Sequence, residues 1–261
     1  NLYVIEDCAQ AHGAIINNKY VGTFGDVGVF SMNVNKTIQS GEGCICVTKN
    51  EEIAYRLQLI RNHGEAVVGP AKYENITNIA GFNYRLSELH AAVIREQLKK
   101  LNLFNTRRID MVMKLANFLN NIDFLIPIVS RNSKHLDHIN RKCRPTFYVF
   151  PIRFIPDKTN VNRDQFIKAV NAEGCQFYQG YVRPLYLQPL YQKKHLFKNG
   201  YPFTAIENQK CKTNYTLGTC PNAELLHFEQ MIINEHIRIP HTDADMNDIL
   251  LSFQKILKSC D

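Results

Sequence analysis

The sequence predicts an α/β fold, and two kinds of pattern lead to this class. Apolar runs of strand length, bounded by turn residues, recur in the first fifty positions at residues 2–5, 27–30 and 44–47. Apolar residues at helical spacing follow, most clearly over residues 86–101. Strands that alternate with helices are typical of a sheet covered by helices.

The elements of the first half follow from local signals. Residues 14–21 form two short apolar runs around Asn17-Asn18, and asparagine favours tight turns, so a hairpin is predicted. Asn50 is a helix cap before apolar residues at helical spacing, and Gly64 closes that helix. Two further helices are predicted, over residues 86–101 and 106–120.

The pattern changes near residue 122, where polar and basic residues continue to about residue 145. We therefore predict a first domain over residues 1–121 and a second over residues 122–261. In the second, residues 145–154 read as a strand, and Asn162 with Gln165 forms a capping box for a helix that ends at Gly174. Further strand-like runs lie at 232–233 and 237–240, and an amphipathic helix is expected at 245–257.

Composition narrows the class of protein. The 261 residues are 45% hydrophobic and 21% charged, as in an ordinary globular protein. The net charge of +7 is scattered along the chain, which disfavours nucleic-acid binding, and no apolar run reaches transmembrane length. The eight cysteines are widely and irregularly spaced, which favours reduced, buried thiols in a cytoplasmic protein and no metal site.

Lys36 and Asp7 are the residues that indicate chemistry. Lys36 lies in a polar loop between two apolar runs, where it is either an exposed hairpin tip or a lysine that forms a Schiff base. Asp7 ends the first apolar run, at the edge of a sheet where α/β enzymes bind ligands. A carboxylate there can hold a proton on a basic ring nitrogen. A lysine with such a carboxylate is the usual arrangement in enzymes that use pyridoxal phosphate.

Five blocks of sequence occur in a fixed order: Val4-Ile-Glu-Asp-Cys-Ala-Gln-Ala-His-Gly13, Gly22-Thr-Phe-Gly-Asp-Val-Gly-Val-Phe-Ser31, Asn35-Lys-Thr-Ile-Gln-Ser-Gly-Glu-Gly43, Arg61-Asn-His-Gly64 and Gly81-Phe-Asn-Tyr-Arg85. Together these blocks closely resemble the DegT/DnrJ/EryC1/StrS sugar aminotransferases. The lysine block and Arg183-Pro-Leu-Tyr-Leu-Gln-Pro-Leu190 look most like the perosamine synthase branch.

The resemblance implies a fold-type I, aspartate aminotransferase-like transferase with a large mixed-sheet domain and a small α+β C-terminal domain. It implies pyridoxal 5'-phosphate as cofactor, no metal, and Lys36 as the catalytic residue. Cofactor contacts are expected from a set of five residues: Asp7, Gln10, Ser31, Lys36 and Asn83. Substrate contacts are expected from His12, Tyr84 and Arg183. Glu6, on the opposite strand face from Asp7, is expected to be structural.

The implied reaction moves an amino group from glutamate to a nucleotide-linked 4-keto-6-deoxy sugar. Because Asn83 resembles an asparagine that reaches the neighbouring subunit's site, a homodimer with shared active sites is implied. Relative to the family, an N-terminal segment of the cofactor domain is expected to be missing, so a fragment, a truncated product and part of a longer protein stay open. A catalytically inactive remnant or regulatory protein is the alternative. The related dehydratase branch is disfavoured because it has histidine at the position of Lys36.

Overall fold

The computed structural model describes residues 2–65, 79–129 and 142–258. The chain divides into two compact units, residues 1–110 with 134–148 and residues 111–133 with 149–261. The predicted boundary after residue 121 stays a prediction. Residues 65–79, which the lack of a clear hydrophobic period predicts to be a loop, lie mostly outside the described residues, and the basic residues at 131–134 lie wholly outside them.

The first unit contains a three-stranded mixed sheet. Its strands are β1 (Ile5–Asp7), β4 (Val27–Ser31) and β5 (Cys44–Val47), in the order β1-β4-β5. Strand β1 runs parallel to β4, with Asp7 opposite Val29, and β4 runs antiparallel to β5, with Ser31 opposite Cys44. Gly28 is required in β4 because a Cβ there would overlap the backbone of Gly22.

Short local elements surround this sheet as the sequence predicts. Strands β2 (Ile15–Ile16) and β3 (Lys19–Tyr20) form the predicted hairpin, and Asn17 and Asn18 both have positive φ, as a type I′ turn requires. Helix α1 (Glu51–Arg61) begins at Asn50, whose side chain accepts a hydrogen bond from the Ile53 amide. Gly64 follows this helix with φ +76°.

Helix α2 (Glu88–Leu119) is one continuous helix of 32 residues, so the prediction of two helices is wrong. Its sequence offers neither glycine nor proline to break it between residues 101 and 106. In the first unit Ile94 is buried with Met32 and Ile38. In the second unit four residues of the same helix are fully buried: Val112, Leu115, Ala116 and Leu119.

The second unit contains a four-stranded antiparallel sheet with helices. The strands are β6 (Leu125–Pro127), β7 (Phe150–Phe154), β8 (Tyr178–Gln179) and β9 (Met231–Asn234), in the order β6-β7-β9-β8. The helices are α3 (Arg163–Ala172), α4 (Pro189–Lys193), α5 (Pro221–Leu225) and α6 (Asp243–Leu257). Edge-to-face aromatic contacts fill its core, among them Phe124 with Phe166 and Phe177 with Phe253.

Several local predictions in this unit are confirmed and two are wrong. The capping box of Asn162 and Gln165 starts α3, and the C-terminal helix is present as α6. The strand predicted from residue 145 begins only at Phe150, because Phe147 has φ +47° and cannot continue an extended strand. Residues 237–240 form no strand.

The seven described cysteines are free thiols, and Cys260 lies outside the described residues. The prediction that the cysteines are buried is wrong for four of them. Cys8 is buried, but Cys44, Cys46, Cys211 and Cys220 are exposed. Cys44 and Cys46 are exposed together because residues two apart in a strand share one face, and that face of β5 is open.

Candidate active site

Polar residues that the sequence predicts to be functional lie at one edge of the mixed sheet, the edge formed by the C-terminal ends of β1 and β4. Because β1 and β4 are parallel, Asp7 and Ser31 end their strands at the same edge. The Asp7 carboxylate is exposed and accepts a hydrogen bond of 3.1 Å from the Ala9 amide. The Ser31 hydroxyl accepts one of 3.3 Å from the Asn33 amide. Gln10, three residues after Asp7, is also exposed.

The neighbouring Glu6 points the other way and organises a loop. Its carboxylate accepts backbone hydrogen bonds of 2.6 Å each from Gly22, Phe24 and Gly25. The hydrogen bond from Gly25 is the largest cause of the lowered pKa of Glu6. The bonds from Gly22 and Phe24 and the charge of Lys19 act in the same direction, whereas burial raises this pKa. This confirms the structural role that the sequence predicts for Glu6.

Lys36 lies in the loop between β4 and β5. Backbone hydrogen bonds close the loop, from Met32 to the Gly43 carbonyl and from Val34 to the Gly41 carbonyl, each 2.8 Å. The Lys36 side chain is half-buried, and its Nζ lies 4.8 Å from the centre of the Tyr148 ring. A fully solvated hairpin tip is therefore not the environment of this amine. A cation over an aromatic face is attracted by the ring quadrupole.

His12 is buried beneath the same sheet edge, with only 2% of its surface exposed. Its Nε2 lies 2.8 Å from the Ser31 carbonyl oxygen, and its Nδ1 has no hydrogen-bond partner. Burial lowers the pKa of His12, the charges of Lys36 and Arg108 lower it further, and the Ser31 carbonyl opposes them. The ring meets protein groups rather than solvent, and its predicted contact with substrate stays a prediction.

Asn83 and Tyr84 lie on an exposed segment before α2. The backbone of Asn83 forms an isolated antiparallel bridge with Asn62, and the Tyr84 ring stacks on Phe82 at 5.0 Å and 11°. Arg85 donates a hydrogen bond of 2.9 Å to the Asn62 side chain, which anchors this turn. Asn83 and Tyr84 are exposed and open to a ligand or partner; their site roles stay predictions.

Arg183 belongs to the second unit and is exposed. Its segment is held by Tyr186, whose hydroxyl donates a hydrogen bond to the Glu224 carboxylate. The Gly218 amide also donates to Glu224, at 2.8 Å, so this one carboxylate joins two segments of the unit. Burial and the Glu224 carboxylate raise the pKa of Tyr186 to about 12. The predicted substrate contact of Arg183 stays a prediction.

Four residues near Lys36 and His12 were not identified from the sequence: Thr37, Asn105, Arg108 and Tyr148. Arg108 donates a hydrogen bond of 2.8 Å from Nη1 to the Thr37 hydroxyl, across 71 residues. The Asn105 side-chain amide donates one of 2.8 Å to the His12 carbonyl oxygen. The available signal was the position of Asn105 and Arg108 on the apolar stripe of α2.

The ranges that the structure describes contain neither a cluster of metal-ligating side chains nor a membrane-spanning helix. There, no three His, Cys, Asp or Glu side chains are grouped to hold a metal ion. None of the helices in those ranges combines the length and the apolar character needed to cross a bilayer.

Comparison with known proteins identifies a matching sequence family and several proteins of similar sequence. The sequence profile of the DegT/DnrJ/EryC1/StrS aminotransferase family matches residues 1–224. An uncharacterized protein of Methanocaldococcus jannaschii, MJ1066, is 28% identical over 266 residues, which cover 98% of this chain and 60% of that protein. GDP-perosamine synthase of Escherichia coli O157:H7 is 28% identical over 195 residues, 75% of this chain and 48% of the enzyme.

The solved structure of S. venezuelae DesV superposes with a TM-score of 0.76 at 24% identity, and the match covers 100% of this chain and 59% of DesV. The likeness to such structures confirms the predicted α/β, fold-type I class. The chain thus spans about half to three fifths of the length of the proteins that it resembles.

Proposed function

The chain belongs to the DegT/DnrJ/EryC1/StrS aminotransferase family, whose members depend on pyridoxal phosphate, and from this we propose that it carries the lysine-bearing part of such an enzyme. The proposed reaction moves an amino group from glutamate to a nucleotide-linked 4-keto-6-deoxy sugar. The observation that supports it most directly is the half-buried Lys36 amine in the loop that follows the strand beside Asp7.

The residues at this sheet edge fit the cofactor. Pyridoxal phosphate presents an aldehyde, a basic ring nitrogen and a phosphate, which call for an amine, a carboxylate and a hydrogen-bond donor. Lys36, Asp7 and Ser31 supply these groups. In the part of the chain that the structure describes, no carboxylate lies within ion-pair distance of the Lys36 amine. The Lys36 amine is therefore not engaged by a carboxylate that would compete with the aldehyde for it.

Each residue then has a defined task. Asp7 would hold a proton on the ring nitrogen, because a carboxylate favours the charged form of an adjacent base. Lys36 would bind the aldehyde carbon covalently, and its amine, once free, would move a proton as general base and acid. Gln10 would donate to the ring hydroxyl, and the Ser31 hydroxyl would donate to the phosphate. When bound, the cofactor supplies an electron sink for the amino transfer.

The substrate and the assembly are further parts of the proposal. The similarity to GDP-perosamine synthase favours a nucleotide sugar as the substrate. Amination at C4 is proposed from the resemblance of the lysine block to the perosamine synthase branch. The exposed Arg183 offers a planar cation suited to a phosphate or carboxylate, and Tyr84 offers an exposed ring. Asn83 would reach the cofactor of a second subunit in a homodimer. A cytoplasmic location stays a prediction.

Covalent capture of the cofactor tests the proposal. The protein is mixed with pyridoxal phosphate, reduced with borohydride, digested and examined by mass spectrometry. We expect the added mass on Lys36, its loss in Lys36→Met, and its retention in Lys49→Met, a control at an exposed lysine of the same unit. Mass spread over surface lysines without preference for Lys36 would favour the inactive remnant or regulatory protein.

Turnover is tested separately with glutamate and a nucleotide-linked 4-keto-6-deoxy sugar. We expect an aminated nucleotide sugar and 2-oxoglutarate, with the amino group at C4 by NMR. Turnover of the corresponding 3-keto sugar, with the amino group at C3, and no turnover of the 4-keto sugar would refute the position proposed here and leave the cofactor assignment intact.

A further inference from the structure

The core-facing stripe of α2 changes from apolar to polar at one place. Ile94 and Leu101 pack in the core of the first unit, and Val112 continues the same stripe as a fully buried residue. Between them the stripe carries Asn105, which is 0% exposed, and Arg108, which is 4% exposed. Residues three apart on a helix share a face, so the two polar side chains act on one side of α2.

These two side chains reach the two segments that form the candidate active site. Arg108 donates to the hydroxyl of Thr37, which directly follows Lys36 and is 8% exposed. Asn105 donates to the carbonyl of His12, in the segment that follows Asp7. His12 in turn contacts the Ser31 carbonyl at 2.8 Å. One rigid helix is therefore bonded to both the lysine loop and the chain beyond β1.

Stability alone does not explain polar residues at these positions. Burying a guanidinium is unfavourable even when it is hydrogen-bonded, and apolar residues of similar volume are often neutral or stabilising in its place. Asn105 Oδ1 and His12 Nδ1 are buried without hydrogen-bond partners, which adds to the cost. The polar pair instead orients its partners, the His12 carbonyl and the Thr37 hydroxyl, because a hydrogen bond fixes the orientation of its partner more closely than an apolar contact does.

We propose that Asn105 and Arg108 are positioning residues that hold the Lys36 loop and the segment after Asp7 in a fixed arrangement. The inference rests on the proposed function for the reason why Lys36 needs a fixed position. The position of the Lys36 amine itself can be measured without any cofactor. If the Arg108–Thr37 bond is lost, the loop loosens, and Lys36 leaves its half-buried place over the Tyr148 ring more often.

Competitive acetylation of lysines in the folded chain measures this directly, without any cofactor. The variants are Arg108→Met and Thr37→Val, which remove the bond from either side, and the control is Arg107→Met, at the exposed neighbouring arginine. Site-specific rates come from mass spectrometry, with Lys49 as the internal reference. We expect the Lys36 rate to rise about tenfold in both variants but not in the control, which corresponds to the lower end of the contribution of one hydrogen bond to a charged group.

The outcomes separate positioning from simple support of the fold. An unchanged Lys36 rate in folded Arg108→Met or Thr37→Val would overturn the inference. An equal rise at Lys19, another half-buried lysine of the first unit, would overturn it too, because it would indicate general loosening. If Arg108→Met does not fold, as circular dichroism would show, Thr37→Val gives the decision. Thr37→Val is the smaller change, because it keeps Arg108 and the volume of the side chain at residue 37.

Capture of pyridoxal phosphate at Lys36 supplies a second readout that moves in the opposite direction. We expect the affinity for the cofactor to fall about tenfold in both variants, although the amine is more exposed. Equal affinity in wild type and variants would overturn the inference. If the wild type captures no cofactor, the proposed function fails, and the acetylation rates still decide whether Arg108 positions Lys36.

Discussion

Replacing Glu6 by glutamine is expected to destabilise the first unit by about 3 kcal/mol at neutral pH. The carboxylate accepts three backbone hydrogen bonds, two on Oε1 from Phe24 and Gly25 and one on Oε2 from Gly22. In Glu6→Gln the amide oxygen can keep the first two, now as neutral bonds that are each weaker by about 0.5–1 kcal/mol. The amide nitrogen faces the Gly22 N–H, so that bond is lost, at a further cost of about 1.5–2 kcal/mol.

The effect depends on pH with a definite sign. The hydrogen bond from Gly25, with those from Gly22 and Phe24, lowers the pKa of Glu6 below the value in the unfolded chain. The carboxylate therefore stabilises the folded state above the unfolded pKa of about 4.3, and this contribution is lost as the pH falls through the folded pKa. The difference between wild type and Glu6→Gln should shrink accordingly in acid.

The chain has no tryptophan, so urea unfolding is best followed by far-ultraviolet circular dichroism. Glu65→Gln, at an exposed glutamate of the same unit, is the control. Hydrogen exchange of the Gly22, Phe24 and Gly25 amides reports the loop itself, and we expect it to accelerate in Glu6→Gln. Equal urea midpoints for Glu6→Gln and the control at pH 7 would refute this account of the loop, as would a difference that persists unchanged in acid.

Three further predictions follow from local structure. Asn162→Ala removes the cap of α3 and should cost about 1 kcal/mol in urea unfolding, whereas Asn160→Ala, outside the helix, should cost nothing measurable. Burial lowers the pKa of His12, so stability should fall below about pH 6.5, where the unfolded imidazole binds a proton that the folded one excludes; parallel pH curves for wild type and His12→Gln would contradict this. Asn18→Gly should leave the unfolding midpoint equal or raise it, because Asn18 has φ +61°, and a clear decrease would show that the asparagine side chain stabilises the turn.

The features that the sequence predicted well depend on groups only a few residues apart. The Asn17-Asn18 turn, the cap at Asn50 and the capping box at Asn162 each satisfy backbone groups within three positions along the chain. Such short-range chemistry is complete in the sequence, because the partners meet whenever the local structure forms.

The predictions that were wrong required knowledge of the surroundings. Helix α2 runs unbroken past Asn105 because that side chain is buried against the His12 segment, although asparagine is a poor helix former. Cys44 and Cys46 lie in an apolar run, yet their face of β5 is exposed. Helix propensity and apolar character do not specify which face of an element another element covers.

The sequence by itself determined the class of fold, the family, and the order in which Asp7, Ser31 and Lys36 occur, because these follow from motifs and from alternating strands and helices. Only the tertiary structure decided what surrounds them: the Tyr148 ring beside the Lys36 amine, the buried His12, and Arg108 bonded to Thr37 across 71 residues. Those contacts join segments far apart in the chain. They arise from how helices and sheets pack together, which no local pattern of residues specifies.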